Sequence, residues 1–246
     1  MARTAARLLT EQLADTQFRP VGLEVRFGPE DGDACLRVGN GRDCALYGSI
    51  DRVDLWEGEK PYVRVLDYKR GSRPFDLAEA YAGLQLQLLV YLAAAAKRRG
   101  ALAAGAFYFR MDEGYVLTPE TDPATVAELR RKALRMDGPM VDEEAASAAN
   151  SAEPKRFYKA SAPLSRAGLT RLLDRAVAMA GRHVDGICAG EAAPAPAKVG
   201  KALPCRFCEG RAACLFDEQA DRGRVRRVDL DKDAVLALLD DESGEA

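Results

Sequence analysis

The stretch from Gly48 to Lys69 constrains this chain more than any other, because it sets charged side chains at fixed places in two strand-forming runs. GSIDRVD (Gly48–Asp54) places acids among apolar residues, and RVLDYKRG (Arg64–Gly71) places Asp67 and Lys69 at the end of the next apolar run. Side chains two apart on a strand project to the same face. Asp67 and Lys69 therefore point together, while Tyr68 points the other way. If the two strands pair, Asp51 reaches the same patch. The runs Leu23–Phe27, Cys35–Val38, Cys44–Leu55 and Tyr62–Tyr68 are short and strand-like. Turn-rich pieces separate them, Gly28-Pro29-Glu30-Asp31-Gly32 and Gly39-Asn40-Gly41, which suits antiparallel hairpins.

The pattern then changes to that of a helix. Leu77, Tyr81, Leu84, Leu88, Leu92 and Ala95 form an apolar stripe, so the spacing predicts one long helix between Asp76 and Gly100. Asp76 is placed to cap it, with Glu79 completing a capping box. Lys97, Arg98 and Arg99 suit its C-terminal dipole, and Gly100 suits a left-handed stop. Its other faces are also rich in Leu and Ala, which predicts burial on more than one side. Gln87 and Tyr91, four apart, share one edge of the stripe. An earlier helix is expected over Arg3–Leu13, a buried strand at Ala106–Phe109, and further helices at Asp122–Arg135 and Ser165–Cys188. The Ala-Pro stretch Glu191–Lys201 reads as a loop. The tail from Arg222 reads as a solvated appendage with one short helix, Asp231–Leu239. Strands, a long helix, another strand and more helices make a mixed α/β domain.

A chain of 246 residues, 48% hydrophobic and 30% charged, supports one large domain or at most two small ones. We expect a principal domain over 1–204, a cysteine cluster over 205–221 and a charged tail over 222–246. No apolar run approaches the ~20 residues of a membrane span, and the first residues lack a secretory pattern. The expected location is cytoplasmic, with no membrane contact. The net charge of −2 excludes nucleic-acid binding by bulk phosphate neutralisation alone. Any DNA contact is then local, metal-assisted or shared with a partner. A GxxxxGK(S/T) phosphate loop is missing from the sequence, so ATP chemistry is not expected of these residues.

Two carboxylates converging beside an ammonium suit phosphodiester hydrolysis. Magnesium binds through one or two carboxylates, waters and substrate phosphate oxygens, and a neighbouring lysine can stabilise charge on the phosphate. Asp-X-Lys alone is common on solvated strand ends; the apolar strand before it and the Gln-bearing helix after it give it weight. Asp54 reads more readily as a strand-end salt bridge to an arginine than as a ligand. The single histidine, His183, lies in a late helix and reads as a surface or structural residue.

Six cysteines in a chain of this kind argue against a disulfide framework. Cys205, Cys208 and Cys214 have a C-x2-C-x5-C spacing in a charged, loop-like segment, PCRFCEGRAACLFD. Three thiols so close are good metal ligands, and by themselves they suit zinc and iron–sulfur equally.

GSIDRVDLWEG, YVRVLDYKRG and FDLAEAYAGLQLQLLVYLAAA together resemble the core of the AddB-type (RecB-like) nuclease domain of the PD-(D/E)XK superfamily, and the likeness runs from about Phe18 to Asp217. The resemblance implies the PD-(D/E)XK nuclease core, a mixed β-sheet flanked by helices with a C-terminal iron–sulfur segment. It implies Asp51 and Asp67 as ligands of Mg2+ or Mn2+, Lys69 as the catalytic lysine, and Gln87 and Tyr91 beside them. Glu24, in LEVRFG, could join the acidic site. Arg70 departs from the usual Ser or Thr, which bears on a phosphate contact but not on the metal. The resemblance also implies that Cys205, Cys208 and Cys214, followed by Phe216-Asp217, ligate a four-iron four-sulfur (4Fe-4S) cluster. The family's fourth thiolate lies upstream of the first strand, before this sequence begins, and Cys35, Cys44 or Cys188 would have to substitute; poor cluster occupancy is expected. The implied activity is a metal-dependent deoxyribonuclease acting on single-stranded DNA during double-strand-break resection and recombinational repair. The implied setting is an exonuclease within a helicase–nuclease complex with an AddA-type partner. The competing expectation is an inactive nuclease fold that clamps DNA or docks a subunit.

Overall fold

The computed structural model describes residues 2–39, 44–71, 73–111, 118–119, 122–159, 162–200 and 203–240. Helix α1 (Ala2–Asp15) leads into β1 (Arg19–Phe27), the short β2 (Arg37–Val38) and β3 (Cys44–Ala45), and the long β4 (Gly48–Glu57) and β5 (Pro61–Lys69). Helices α2 (Leu77–Tyr81) and α3 (Gln87–Arg99) cross over to β6 (Leu102–Arg110). Next come α4 (Pro123–Ala133), β7 (Pro139–Val141), α5 (Glu144–Asn150), α6 (Pro154–Phe157) and β8 (Ala162–Leu164). Then follow α7 (Arg166–Cys188), β9 (Ala197–Val199), α8 (Arg211–Cys214), β10 (Arg226–Val228) and α9 (Lys232–Asp240).

The main sheet has the order β1-β4-β5-β6-β7-β8. β4 pairs antiparallel with β1 and, through a short turn, with β5, while β6 lies parallel to β5 because α2 and α3 carry the chain back across the sheet. It is an α/β fold with a mixed sheet flanked by helices. Strand alternation sorts the two faces. Val63 and Val65 of β5 and Ala104 and Ala106 of β6 lie in one cluster with Leu88, Leu89 and Leu92 of α3 and Leu169 and Leu172 of α7. The small alanines let α3 approach the strands closely. Leu88, Leu89 and Leu92 are fully buried, each contributing roughly 1.5–3 kcal/mol. Leu66, Phe107 and Phe109 face the other way, against Ala5 and Leu8 of α1 and Leu134 and Met136.

That second face also holds charge. Arg52 donates to both oxygens of Asp54, at 2.6 and 2.7 Å, and Arg64 donates to Asp54 Oδ2 at 3.0 Å. Arg64 also donates to Asn150 Oδ1 and to the Tyr158 hydroxyl, and its guanidinium lies 4.5 Å from the centre of the Phe18 ring. All three charged residues are buried. The salt bridge expected of Asp54 therefore exists, but in the interior with two arginines rather than at a strand end.

Other expectations need correction. The run Cys44–Leu55 is two strands: β3 pairs with β2 in a separate ribbon, and β4 begins only at Gly48. The single helix between Asp76 and Gly100 is broken into α2 and α3 at Gly83, whose φ of 84° a residue with a side chain rarely adopts. His183 and Met179 of α7 pack against that glycine, so the break is held from outside. Asp76 caps α2 through the Glu79 amide, but the capping box does not close: Glu79 turns instead to Arg73 and Gln85. The Ala-Pro loop contains β9, which pairs in parallel with β10. Nor is the tail a solvated appendage, since α9 packs on α7 and buries Val235 and Leu239. The Asn40-Gly41 turn and the acidic end of the tail lie outside the described residues. Among the described residues no helix is long and apolar enough to cross a membrane.

Candidate active site

The C-terminal end of β5 and the N-terminal end of α3 meet on the same face of the sheet. Regular pairing of β4 with β5 stops at Arg52 and Leu66, and Asp51 takes over one step further along. Its Oδ2 accepts a hydrogen bond of 2.7 Å from the Tyr68 amide. A side chain thus completes the ladder, and the bond pins the Asp51 carboxylate beside Asp67 on the next strand.

Asp67 is 3% exposed. Its Oδ2 lies 2.7 Å from Lys69 Nζ, yet no donor meets that oxygen in hydrogen-bonding geometry. Burial pushes the Asp67 carboxyl above the usual carboxylate range, the Lys69 ammonium opposes that shift, and the charge of Asp51 adds to it. Two carboxylates side by side, one of them buried, repel each other when both are ionised, and a cation between them relieves that repulsion. The donor set is all oxygen, which suits a hard ion such as magnesium.

Lys69 ties the strand to the helix. Its ammonium donates to Gln87 Oε1 at 3.0 Å, and Gln87 Nε2 donates to the Tyr91 hydroxyl at 3.1 Å. One helical turn separates Gln87 from Tyr91, so their four-residue spacing makes this chain of contacts possible. The Tyr91 ring packs edge-on against Phe27 of β1, at 5.7 Å between ring centres. Asp51, Asp67, Lys69, Gln87 and Tyr91 are thereby brought into one continuous constellation.

Sequence reasoning missed Tyr108. The parallel register of β5 and β6 sets it opposite Asp67, and Lys69 Nζ lies 5.6 Å from its ring centre. Burial, with the charge of Asp67 adding to it, pushes the Tyr108 phenol up to about 12. The signal was available, since a strand–helix–strand crossover returns the next strand alongside the first. Arg73, between β5 and α2, was also missed.

Glu24 is not brought in as a third acid. Register sets it across from Asp51, but it has a left-handed φ of 48° within β1, and its Oε2 accepts from Ser49 Oγ at 3.4 Å. Among the described residues no three His, Cys, Asp or Glu side chains are set to hold a metal. The cysteine cluster does not fit an iron–sulfur ligand set as it stands. Cys205 is half-buried on a tight turn, Cys208 and Cys214 are exposed, and all three are free thiols. Cys35 is buried, Cys44 sits in β3 and Cys188 ends α7, and none of them completes such a group. His183 lies against the Gly83 carbonyl at 3.4 Å, a contact between α7 and the α2–α3 break.

A family model for the PD-(D/E)XK nuclease superfamily matches residues 1–215. An ATP-dependent helicase/deoxyribonuclease subunit of Desulforudis audaxviator is 35% identical over 252 aligned residues, which cover 92% of this chain and 21% of that protein. The subunit of the same name from Symbiobacterium thermophilum is 35% identical over 251, covering 90% and 21%. That of Listeria monocytogenes serotype 4a is 32% identical over 269, covering 98% and 23%. The chain therefore spans about a fifth of the length of these curated relatives.

Proposed function

The chain belongs to the PD-(D/E)XK nuclease superfamily, and from that premise we propose that it hydrolyses phosphodiester bonds of single-stranded DNA with the aid of a divalent cation. The observation that carries this reading is the buried Asp67 carboxylate beside Asp51, with the Lys69 ammonium 2.7 Å from its Oδ2. Asp51 and Asp67 are the residues that would hold Mg2+ or Mn2+. When bound, such an ion supplies Lewis-acid stabilisation of charge on the phosphate and lowers the pKa of water. Lys69 presents its ammonium to the phosphate oxygens. Gln87 acts through Lys69 by fixing where the ammonium sits, and Tyr91 fixes Gln87 in turn; both are positioning residues. Tyr108 walls the other side of Lys69.

By likeness to these helicase/deoxyribonuclease subunits, we assign the chain to the nuclease part of a helicase–deoxyribonuclease that resects broken ends for recombinational repair, with an AddA-type partner delivering the strand. A net charge of −2 agrees with delivery by a partner rather than autonomous capture of DNA. Cys205, Cys208 and Cys214 supply at most three thiolates to a 4Fe-4S cluster. A cluster would have to draw them together and take a fourth ligand.

The test is incubation of end-labelled single-stranded DNA with the chain and Mg2+, beside Asp67→Ala and Lys69→Ala. Cleavage by the parent is expected to fall by at least 100-fold in each variant. Binding without cleavage, unchanged in both variants, would instead establish the inactive clamping module.

A further inference from the structure

A cavity of about 270 Å³ opens next to Lys69, and its described lining includes neither Asp51 nor Asp67. Lys69 and Arg73 put two cations on its walls, and none of its described lining residues is acidic. Leu84 and Leu86 give it an apolar side, and Tyr108 adds a half-buried aromatic ring. Cationic walls joined to an apolar and aromatic one suit a phosphate ester that carries a flat heterocycle better than they suit a bare anion. The size limits the occupant further, because it lies just below the roughly 300–1,000 Å³ of sites for drug-sized ligands. That size is of the order of one nucleotide.

From this we propose that the cavity receives one unpaired nucleotide of the strand being cut, adjoining the scissile phosphate, with Arg73 on that nucleotide's phosphate. The inference rests on the nuclease reading above and deepens it. A base seated against Leu86 and Tyr108 would leave its partner strand, so the cavity favours single strands over duplex. Its walls are held in advance. Gln85 accepts from the Asp76 amide and donates to the Pro74 carbonyl and to Glu79, locking the segment before α2 to the segment before α3. Glu79 also bonds Arg73, whose side chain is 70% exposed. The guanidinium is thus stationed at the rim while remaining free to exchange a carboxylate for a phosphate. Arg presents a planar fork of donors that suits a phosphodiester.

The experiment is fluorescence anisotropy with a labelled oligothymidylate and with a blunt hairpin duplex, in EDTA so that no turnover consumes the probe. The intact chain is compared with Arg73→Ala and Arg73→Glu, both at an exposed position where folding is not at stake. Arg73→Ala is expected to weaken oligothymidylate binding about tenfold at low salt, and Arg73→Glu more. The slope of log affinity against log salt should shrink by about 0.7, the loss of one single-strand phosphate contact. Duplex binding should not change. An unchanged oligothymidylate affinity and slope, or an equal loss on the duplex, overturns the assignment. The two readings separate because Asp67→Ala tests cleavage alone. If that variant cuts as fast as the parent, the nuclease reading fails, and the Arg73 variants still decide the cavity by binding.

Discussion

A carboxylate buried as deeply as Asp67, next to a second one on the neighbouring strand, costs the fold stability when both are ionised. Lys69 offsets part of that cost, but it is half-buried and shared with Gln87. Asp67→Asn is therefore expected to raise the thermal unfolding midpoint in metal-free buffer at neutral pH, and to abolish cleavage in Mg2+. A lowered midpoint, read by circular dichroism, would mean that Asp67 is an ordinary structural anion. The alternation of Asp67, Tyr68 and Lys69 was legible in the sequence because the strand period is two. The left-handed φ of Glu24, not visible in any pattern, is a property of the folded β1, and there its carboxylate meets Ser49.

Elements are held in register by what lies behind the site. Arg52 and Asp54 alternate with Asp51 on β4, and Arg64 alternates with Asp67 on β5, so the ion cluster on one face fixes the spacing of the acids on the other. Asp54 is the carboxylate to which both buried guanidiniums bond. Asp54→Ala should therefore destabilise the chain by about 3–5 kcal/mol, measured as a fall in the urea midpoint. A change under about 1 kcal/mol would show that the two guanidiniums do not depend on this carboxylate, Arg64 being held by Asn150 and Tyr158. Sequence pattern placed Asp54 near an arginine but not in the core, because charged residues are seldom fully buried. The break between α2 and α3 was likewise hidden by a continuous apolar stripe, and Gly83 with α7 behind it decided the matter.

For the molecule as a whole, the last described helix belongs to the core. Leu239 is 2% exposed and lies, with Leu169 and Leu172 of α7, in the cluster that also contains α3. Leu239→Ala is expected to cost about 2–5 kcal/mol in a urea melt and to leave the cleavage rate per folded molecule unchanged, because the helix is remote from Lys69 in its contacts. A changed rate with unchanged stability would place α9 in the catalytic machinery. Taken alone, the amino-acid order determined the strand–helix–strand sequence around the site and which side chains share a strand face, since periods of 2.0 and 3.6 residues are local properties of the backbone. It also determined that Gln87 and Tyr91 lie one turn apart. Only the tertiary structure decided the register of β6 on β5 that sets Tyr108 against Lys69, that Arg73 rims a cavity there, and that the tail docks on α7. Those placements depend on which apolar faces find each other across distant segments, and no local period encodes that choice.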